Sequence, residues 1–294
     1  MREICSGTAT VQRGDRTGPN LRPLYNRPGH PWRDHLSMET MPRQIVAFGG
    51  GGFSMESGNP LLDDYVLGLC RRERPRVCFL PSASGDADHY VVRFYRAFPA
   101  DRCEASHISL FRREQGPTEL RDHLLTQDLI YVGGGSVVSL LGVWRAHRID
   151  VILREAWEAG VVLCGLSAGS LCWFEEAVSG FHGAPQRVEG LGFLPFSNCV
   201  HYEPTSERRL SYHQMLREGM RPGYAAEDSA GLHFIGCELN RVVASRPAAR
   251  GYRLDAAGER VVEMRLATAY LGDAAPVTRL PGATSASLST ASAA

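Results

Sequence analysis

Between residues 42 and 272, short apolar runs alternate with longer stretches whose apolar residues recur at helical spacing. Gln44 to Phe48 predicts a first strand, which ends in the glycine run Gly49 to Gly52. Asn59-Pro60 can cap and open a helix that runs to about Arg72. Arg76 to Leu80 predicts a second strand, Asp88 to Phe98 a helix, Cys103 to Leu110 a third strand and Thr118 to Leu125 a short helix. Asp128 to Val132 is a fourth strand that ends in Gly133-Gly134-Gly135. Helices are predicted over Val137 to His147 and Asp150 to Ala159, then a buried fifth strand over Val161 to Leu166 and a helix over Leu171 to Glu176. Beyond about Arg187 the strands shorten, with Gly231 to Ile235, Arg241 to Ser245 and Val261 to Leu266 the clearest. Strands and helices in alternation imply an α/β fold, a mostly parallel sheet with helices on both faces. Ligands of such folds bind beyond the carboxyl ends of the strands, where the three small-residue turns 49–52, 133–135 and 165–170 fall.

The flanks differ in character. Residues 1–41 are rich in Arg, Pro, Gly and Asn without sustained periodicity, and Met38 and Met41 offer alternative starts. This leader is predicted to lie outside the folded unit, as a disordered arm or a start-site artefact. Residues 42–272 are predicted to form one catalytic domain, and 273–294 a low-complexity tail ending in Ala, Ser, Thr and Leu.

Composition narrows the partners. Lys plus Arg and Asp plus Glu balance at 32 each, so there is no overall basic field to attract nucleic acid or an anionic membrane. No apolar run approaches the roughly 20 residues of a membrane helix. None of the eight cysteines forms a C-x-x-C pair, and several sit inside apolar runs such as Val77-Cys78-Phe79-Leu80. The expectation is a reduced, cytoplasmic protein with no metal and no cofactor. Neither a G-x-x-x-x-G-K-[ST] segment nor a G-x-G-x-x-G with an acidic partner is present, which argues against a nucleotide site.

The chemistry concentrates in Val161-Val162-Leu163-Cys164-Gly165-Leu166-Ser167-Ala168-Gly169-Ser170. A buried strand that runs through G-x-S-x-G into a helix is the setting of a nucleophile elbow, with Ser167 raised on a sharp turn. The amino end of the following helix favours developing negative charge, and the N–H of Ala168 is placed to meet an oxyanion. The plainer alternative is a tight turn whose serine only caps a helix. Gly133-Gly134-Gly135-Ser136 exposes further backbone N–H groups that could supply a second donor, or could simply allow close helix–sheet packing.

A serine nucleophile needs a base. Among ten histidines, His201 stands where a strand end enters a loop, whereas His89, His123, His147 and His213 fall on amphipathic helices. His182, in a Gly-flanked turn, remains a second candidate. For the orienting acid, Glu227 and Asp228 are both within reach, while Glu203 is too near His201 in sequence.

These residues, with Gly190-Leu191-Gly192-Phe193-Leu194-Pro195, His201-Tyr202 and Glu227-Asp228-Ser229-Ala230, occur in an order that resembles the peptidase E (aspartyl dipeptidase) family. That family is related to cyanophycinase and built on the class I glutamine-amidotransferase-like, flavodoxin-like three-layer fold. Amidotransferases carry cysteine where this chain has Ser167. The resemblance implies a Ser-His-Glu triad of Ser167, His201 and Glu227, with the N–H groups of Gly135 and Ala168 as the oxyanion hole. It also implies metal-free cleavage of dipeptides with an N-terminal aspartate. Two departures concern the substrate side. Ser136 stands where the family has asparagine, and the family's carboxylate-binding arginine has two counterparts, Arg208 and Arg209. The expected partner is a small peptide, and the chain is expected as a monomer or homodimer. A cyanophycinase-like exopeptidase or a small-molecule esterase would use the same serine. A catalytically silent binding protein of amidotransferase shape is the reading from another class.

Overall fold

The computed structural model describes residues 41–112, 119–258 and 260–273. The leader, apart from Met41, and the tail beyond Asp273 therefore lie outside the described residues. Strands β1 (Gln44–Phe48), β2 (Arg76–Leu80), β3 (Glu104–His107), β4 (Leu129–Val132) and β5 (Val162–Leu166) form the first half of the domain. The second half adds β6 (Phe174–Ser179), β7 (Gln186–Glu189), β8 (Leu194–Val200), β9 (Gly223–Ala226) and β10 (Ala230–Ile235), followed by β11 (Glu238–Ala244), β12 (Gly251–Ala257), β13 (Arg260–Arg265) and β14 (Thr268–Tyr270). The helices are α1 (Gly52–Met55), α2 (Leu61–Gly68), α3 (Asp88–Ala97), α4 (Leu120–Leu125), α5 (Val137–His147), α6 (Ile149–Glu158), α7 (Ala168–Leu171) and α8 (Glu207–Arg217).

An eight-stranded sheet runs β14-β11-β10-β1-β5-β4-β2-β3, parallel from β1 to β3 and antiparallel across β1, β10 and β11. Strand β1 is fully buried because both of its faces are covered. Ile45 and Ala47 point into one core, with Trp144, Leu153 and Trp157 of α5 and α6. Val46 and Phe48 point into the other, with Val66 of α2 and Phe94 of α3. This two-sided burial is why the parallel strands read as near-continuous apolar runs.

A second, six-stranded sheet, β13-β12-β9-β8-β6-β7, packs on the α5–α6 side. Phe174 of β6 and Tyr224 of β9 meet Phe234 of β10 edge-on, with ring centres 5.7 and 5.3 Å apart. The sequence reading foresaw only scattered short strands here. It also expected a helix over 171–176, but α7 stops at Leu171 and β6 begins at Phe174. An apolar run that short fits either period, and pairing of β6 with β8 decides it. The strand expected over 103–110 is confined to Glu104–His107. No helix among the described residues is long and apolar enough to cross a membrane.

Candidate active site

The site lies beyond the carboxyl ends of β1, β4, β5, β8 and β9. Strand β5 ends at Leu166, and Ser167 takes φ 52° and ψ −114°, a conformation that L-residues rarely adopt. The neighbouring glycines follow from the tightness of this turn. A Cβ on Gly165 would stand 2.4 Å from the Gly169 carbonyl oxygen, and one on Gly169 would stand 2.3 Å from that of Val132. Only glycine lets the chain double back so closely on the end of β4.

His201 follows the last residue of β8 and also has positive φ, 51°. Its N–H donates to the Gly49 carbonyl at 3.3 Å, which ties it to the turn after β1. The ring reaches across the sheet end, and Nε2 lies 3.0 Å from Ser167 Oγ. Nδ1 lies 2.5 Å from Asp228 Oδ1. A carboxylate can only accept, so Nδ1 carries the proton and Nε2 is left to accept from the serine hydroxyl. An imidazole held in that tautomer can take a proton from Ser167 and return it to a leaving group. The His201 side chain is 25% exposed and that of Asp228 41%, so the couple borders solvent.

Asp228, not Glu227, meets the ring, which corrects the acid expected from the resemblance. The two are successive residues just past β9, and their side chains part to opposite sides. Glu227 turns towards β12, accepting from the Arg250 N–H at 3.0 Å and the Tyr252 hydroxyl at 2.6 Å. Asp228 turns towards the glycine run after β1. A Cβ on Gly50 would stand 2.1 Å from Asp228 Oδ1, so the missing side chain there makes room for the carboxylate. The Asp228 N–H donates to Glu203 Oε1 at 2.9 Å, so Glu203 holds the acid rather than the base.

The backbone N–H groups of Gly135 and Ala168 have no hydrogen-bond partner among the described residues. Gly135 has φ 139°, and a Cβ there would stand 2.2 Å from the Ala83 carbonyl oxygen. Neighbouring Gly134 rests against Ser167: a Cβ on it would be 3.4 Å from the serine Cβ. Ser136 is 3% exposed and caps α5, its hydroxyl oxygen accepting from the Ser139 N–H at 3.1 Å. Its hydroxyl also pairs with His182 Nε2 at 2.8 Å. The second histidine candidate is thus bonded to the capping serine, while the nucleophile pairs with His201.

The two arginines separate. Arg209 pairs with Glu263 and lies over the rings of Tyr202 and Tyr252, with centroid distances of 4.9 and 5.3 Å. Arg209 is thereby held against the two tyrosine rings. Arg208 is half-buried and in no ion pair among the described residues. Its guanidinium packs on the turn that carries His182, with Nε 3.2 Å from where a Gly180 Cβ would stand. No group of three or more His, Cys, Asp or Glu side chains among the described residues is arranged to hold a metal ion.

Residues 45–242 match the model of Peptidase family S51. The chain belongs to peptidase family S51. This is a serine peptidase family that includes peptidase E. The chain is 47% identical over 231 residues to the Uncharacterized peptidase YgaJ of Bacillus subtilis (strain 168), covering 78% of this chain and all of that relative. Among solved structures, a peptidase from an acI-B1 Actinobacterium superposes with a TM-score of 0.56 at 16% identity, over 77% of this chain and 98% of its own. That likeness concerns the fold. A putative peptidase E protein from Listeria monocytogenes EGD-e, also 16% identical, gives a TM-score of 0.48 over 77% of this chain and all of its own.

Two features of this S51 site escaped the sequence reading. The turn 49–52 is placed at the ligand end of the sheet by its sequence, but nothing local shows that Gly49 anchors His201 and Gly50 admits Asp228. The pairing of His182 with Ser136 joins residues far apart in the chain and leaves no local pattern.

Proposed function

We propose that this S51 peptidase hydrolyses dipeptides with an N-terminal aspartate through Ser167, His201 and Asp228. The observation that carries the reading is the continuous relay from Ser167 Oγ to His201 Nε2 at 3.0 Å and from Nδ1 to Asp228 Oδ1 at 2.5 Å. Ser167 Oγ attacks the peptide carbonyl carbon as its proton passes to His201 Nε2. Asp228 steadies the imidazolium so formed. The carbonyl oxygen, now an oxyanion, accepts from the N–H groups of Gly135 and Ala168. His201 then protonates the departing amine, leaving an acyl-serine. Water attacks the acyl-serine, giving its proton to His201, and the acid product and free Ser167 result.

Preference for an acidic residue is supported by Arg208, a half-buried cation against the turn that carries His182, with no carboxylate of its own among the described residues. Ser136 acts indirectly in this scheme, because its hydroxyl is committed to His182 and to the cap of α5. The described cysteines are free thiols, which supports work in a reducing cytoplasm.

The test pairs a fluorophosphonate probe with a substrate panel of Asp-X, neutral X-X and β-linked Asp-Arg peptides and a p-nitrophenyl ester. Expected are a single phosphonylated residue, Ser167, and turnover highest on Asp-X. Labelling elsewhere, or Asp-X hydrolysis that survives Ser167→Ala, would overturn the mechanism. Labelled Ser167 with turnover only of the ester or the β-linked peptide would overturn the substrate.

A further inference from the structure

The relay leaves one buried acid beside the site without a task. Glu56, just past α1, has a side chain only 3% exposed. Its carboxylate gathers donors from three segments. Oε1 accepts from Ser229 Oγ at 2.9 Å, Arg246 Nε at 2.8 Å and Asn59 Nδ2 at 3.4 Å. Oε2 accepts from Ser245 Oγ at 2.5 Å. Three donors crowd Oε1 and one meets Oε2, so both oxygens of the buried carboxylate are partnered. Burial pushes the Glu56 pKa up, but the bonds from Arg246, Ser245 and Ser229 outweigh it and hold the group below the usual carboxylate range.

These bonds converge on the turn that carries Asp228. Ser229 follows it directly and has φ 66°, so the turn sits in a conformation that needs outside support. The Ser229 N–H donates to the Gly50 carbonyl at 3.1 Å, and its carbonyl accepts from the Ser245 N–H at 2.9 Å. Glu56 holds the side chains of both serines at once. It also packs under the glycine turn, with Oε2 2.8 Å from where a Gly51 Cβ would stand. One carboxylate thus fastens both walls between which Asp228 reaches His201.

We propose that Glu56 is a positioning residue: through Ser229 it fixes the turn that aims Asp228 at His201 Nδ1, and so sets the reactivity of Ser167. This rests on the reading of Ser167, His201 and Asp228 as one working unit. A role in stability alone predicts different behaviour. A buried bracket that only stabilises the fold would lower the melting temperature and leave the folded enzyme as reactive as before.

The experiment compares wild type, Glu56→Gln, Ser229→Ala, Asp228→Asn and the Glu56→Gln/Asp228→Asn double variant, all well below their melting temperatures. Three readouts are the rate of fluorophosphonate labelling at Ser167, the kcat and KM on Asp-X, and the low-field proton signal of His201 Nδ1–H. Glutamine keeps the shape of Glu56 but removes its charge and turns one acceptor into a donor, so the charge-assisted bonds from Arg246 and Ser229 weaken and the bond from Ser245 must reverse or break. A misplacement of Asp228 by under 1 Å should cost about tenfold or more in kcat and labelling rate, with KM within about twofold. The Nδ1–H signal should shift or broaden. Ser229→Ala, which removes only the link to the turn, should act in the same direction and serves if Glu56→Gln folds poorly. With Asp228→Asn already present, Glu56→Gln should add less than about twofold. Full multiplication of the two losses, or an unchanged Nδ1–H signal and labelling rate in Glu56→Gln and Ser229→Ala, would overturn the proposal. Wild type that does not label at Ser167 would instead defeat the triad reading itself, and the positioning role with it.

Discussion

Replacing Asp228 by asparagine should cripple the enzyme, whereas Glu227→Gln should leave turnover within about threefold of wild type. The imidazolium formed during attack faces the Asp228 carboxylate at 2.5 Å. The Asp228 side chain is 41% exposed, so the effective dielectric lies between the surface value of about 20 and that of bulk water, about 80. With charge centres about 4 Å apart, the lost attraction is roughly 1–4 kcal/mol, or on the order of 10² in kcat. Asparagine can also turn its amide N–H₂ towards Nδ1, which puts the ring proton on Nε2 and leaves nothing to accept from Ser167. That loss of tautomer control brings the expected fall in kcat to about 10³. Among the described residues the Glu227 carboxylate accepts from the Arg250 N–H and the Tyr252 hydroxyl, and a glutamine oxygen can keep one of these bonds. Its replacement should cost about 1 kcal/mol of stability, read as a lower melting temperature. The assay is steady-state kcat and KM on an Asp-X peptide, with fluorophosphonate labelling of Ser167 as a substrate-independent check. If Glu227→Gln lost more turnover than Asp228→Asn, the assignment of the acid would be wrong.

Ser167→Gly should abolish turnover yet stabilise the fold by about 1 kcal/mol, because glycine relieves the φ 52° strain at a partly offsetting entropic cost. Differential scanning fluorimetry should show a rise of a few degrees, and an unchanged or lower melting temperature would mean that the elbow is not strained. Arg208→Ala should lower kcat/KM on Asp-X about tenfold more than on a neutral dipeptide. Arg209→Ala, which frees Glu263, should lower the melting temperature and affect both substrates alike, and the reverse pattern would exchange the two roles. His233 is buried, its Nδ1 accepting from the Tyr65 hydroxyl at 2.7 Å and its Nε2–H donating to Gln44 Oε1 at 3.1 Å. Burial, with the nearby charge of Arg241, brings its pKa down from 6.5 to about 4. The unfolded chain takes up this proton below about pH 6.5 and the folded one only near pH 4. Its stabilising share is therefore complete above pH 6.5 and lost as pH falls to 4, by about 3 kcal/mol in all. Urea unfolding between pH 7 and 4.5 should be flatter for His233→Gln than for wild type, and equal slopes would refute the assignment.

Strands β1, β2, β4 and β5 were legible in the sequence because two-sided burial writes each as a nearly unbroken apolar run, whereas the edge strand β3, Glu104–His107, is not buried and its bounds were read too wide. The elbow was legible for a related reason: Gly165 and Gly169 are demanded by contacts within a few residues of Ser167 or with the adjoining strand end. His201 could be singled out by its place at a strand end. The choice between Glu227 and Asp228 could not be read, because neighbours at a strand end differ only in the side they face. That side is set by Tyr252 and Arg250 on one hand and by Gly50 on the other, all distant in the chain. Of the six-stranded sheet, β13 was legible, expected over 261–266 and found over Arg260–Arg265, but its arrangement was not. The opposite edge strand β7 is largely exposed, so pairing with β6 rather than local pattern makes it a strand.

Strand β1 joins the parallel strands, through β5, to the antiparallel ones, through β10, and its trailing glycines touch both His201 and Asp228. The three reacting side chains therefore have no common framework until the earliest strand of the domain has closed against one of the latest. A chain made only as far as β6 carries Ser167 but neither His201 nor Asp228, and on the proposed mechanism it cannot cut the unfolded polypeptides around it.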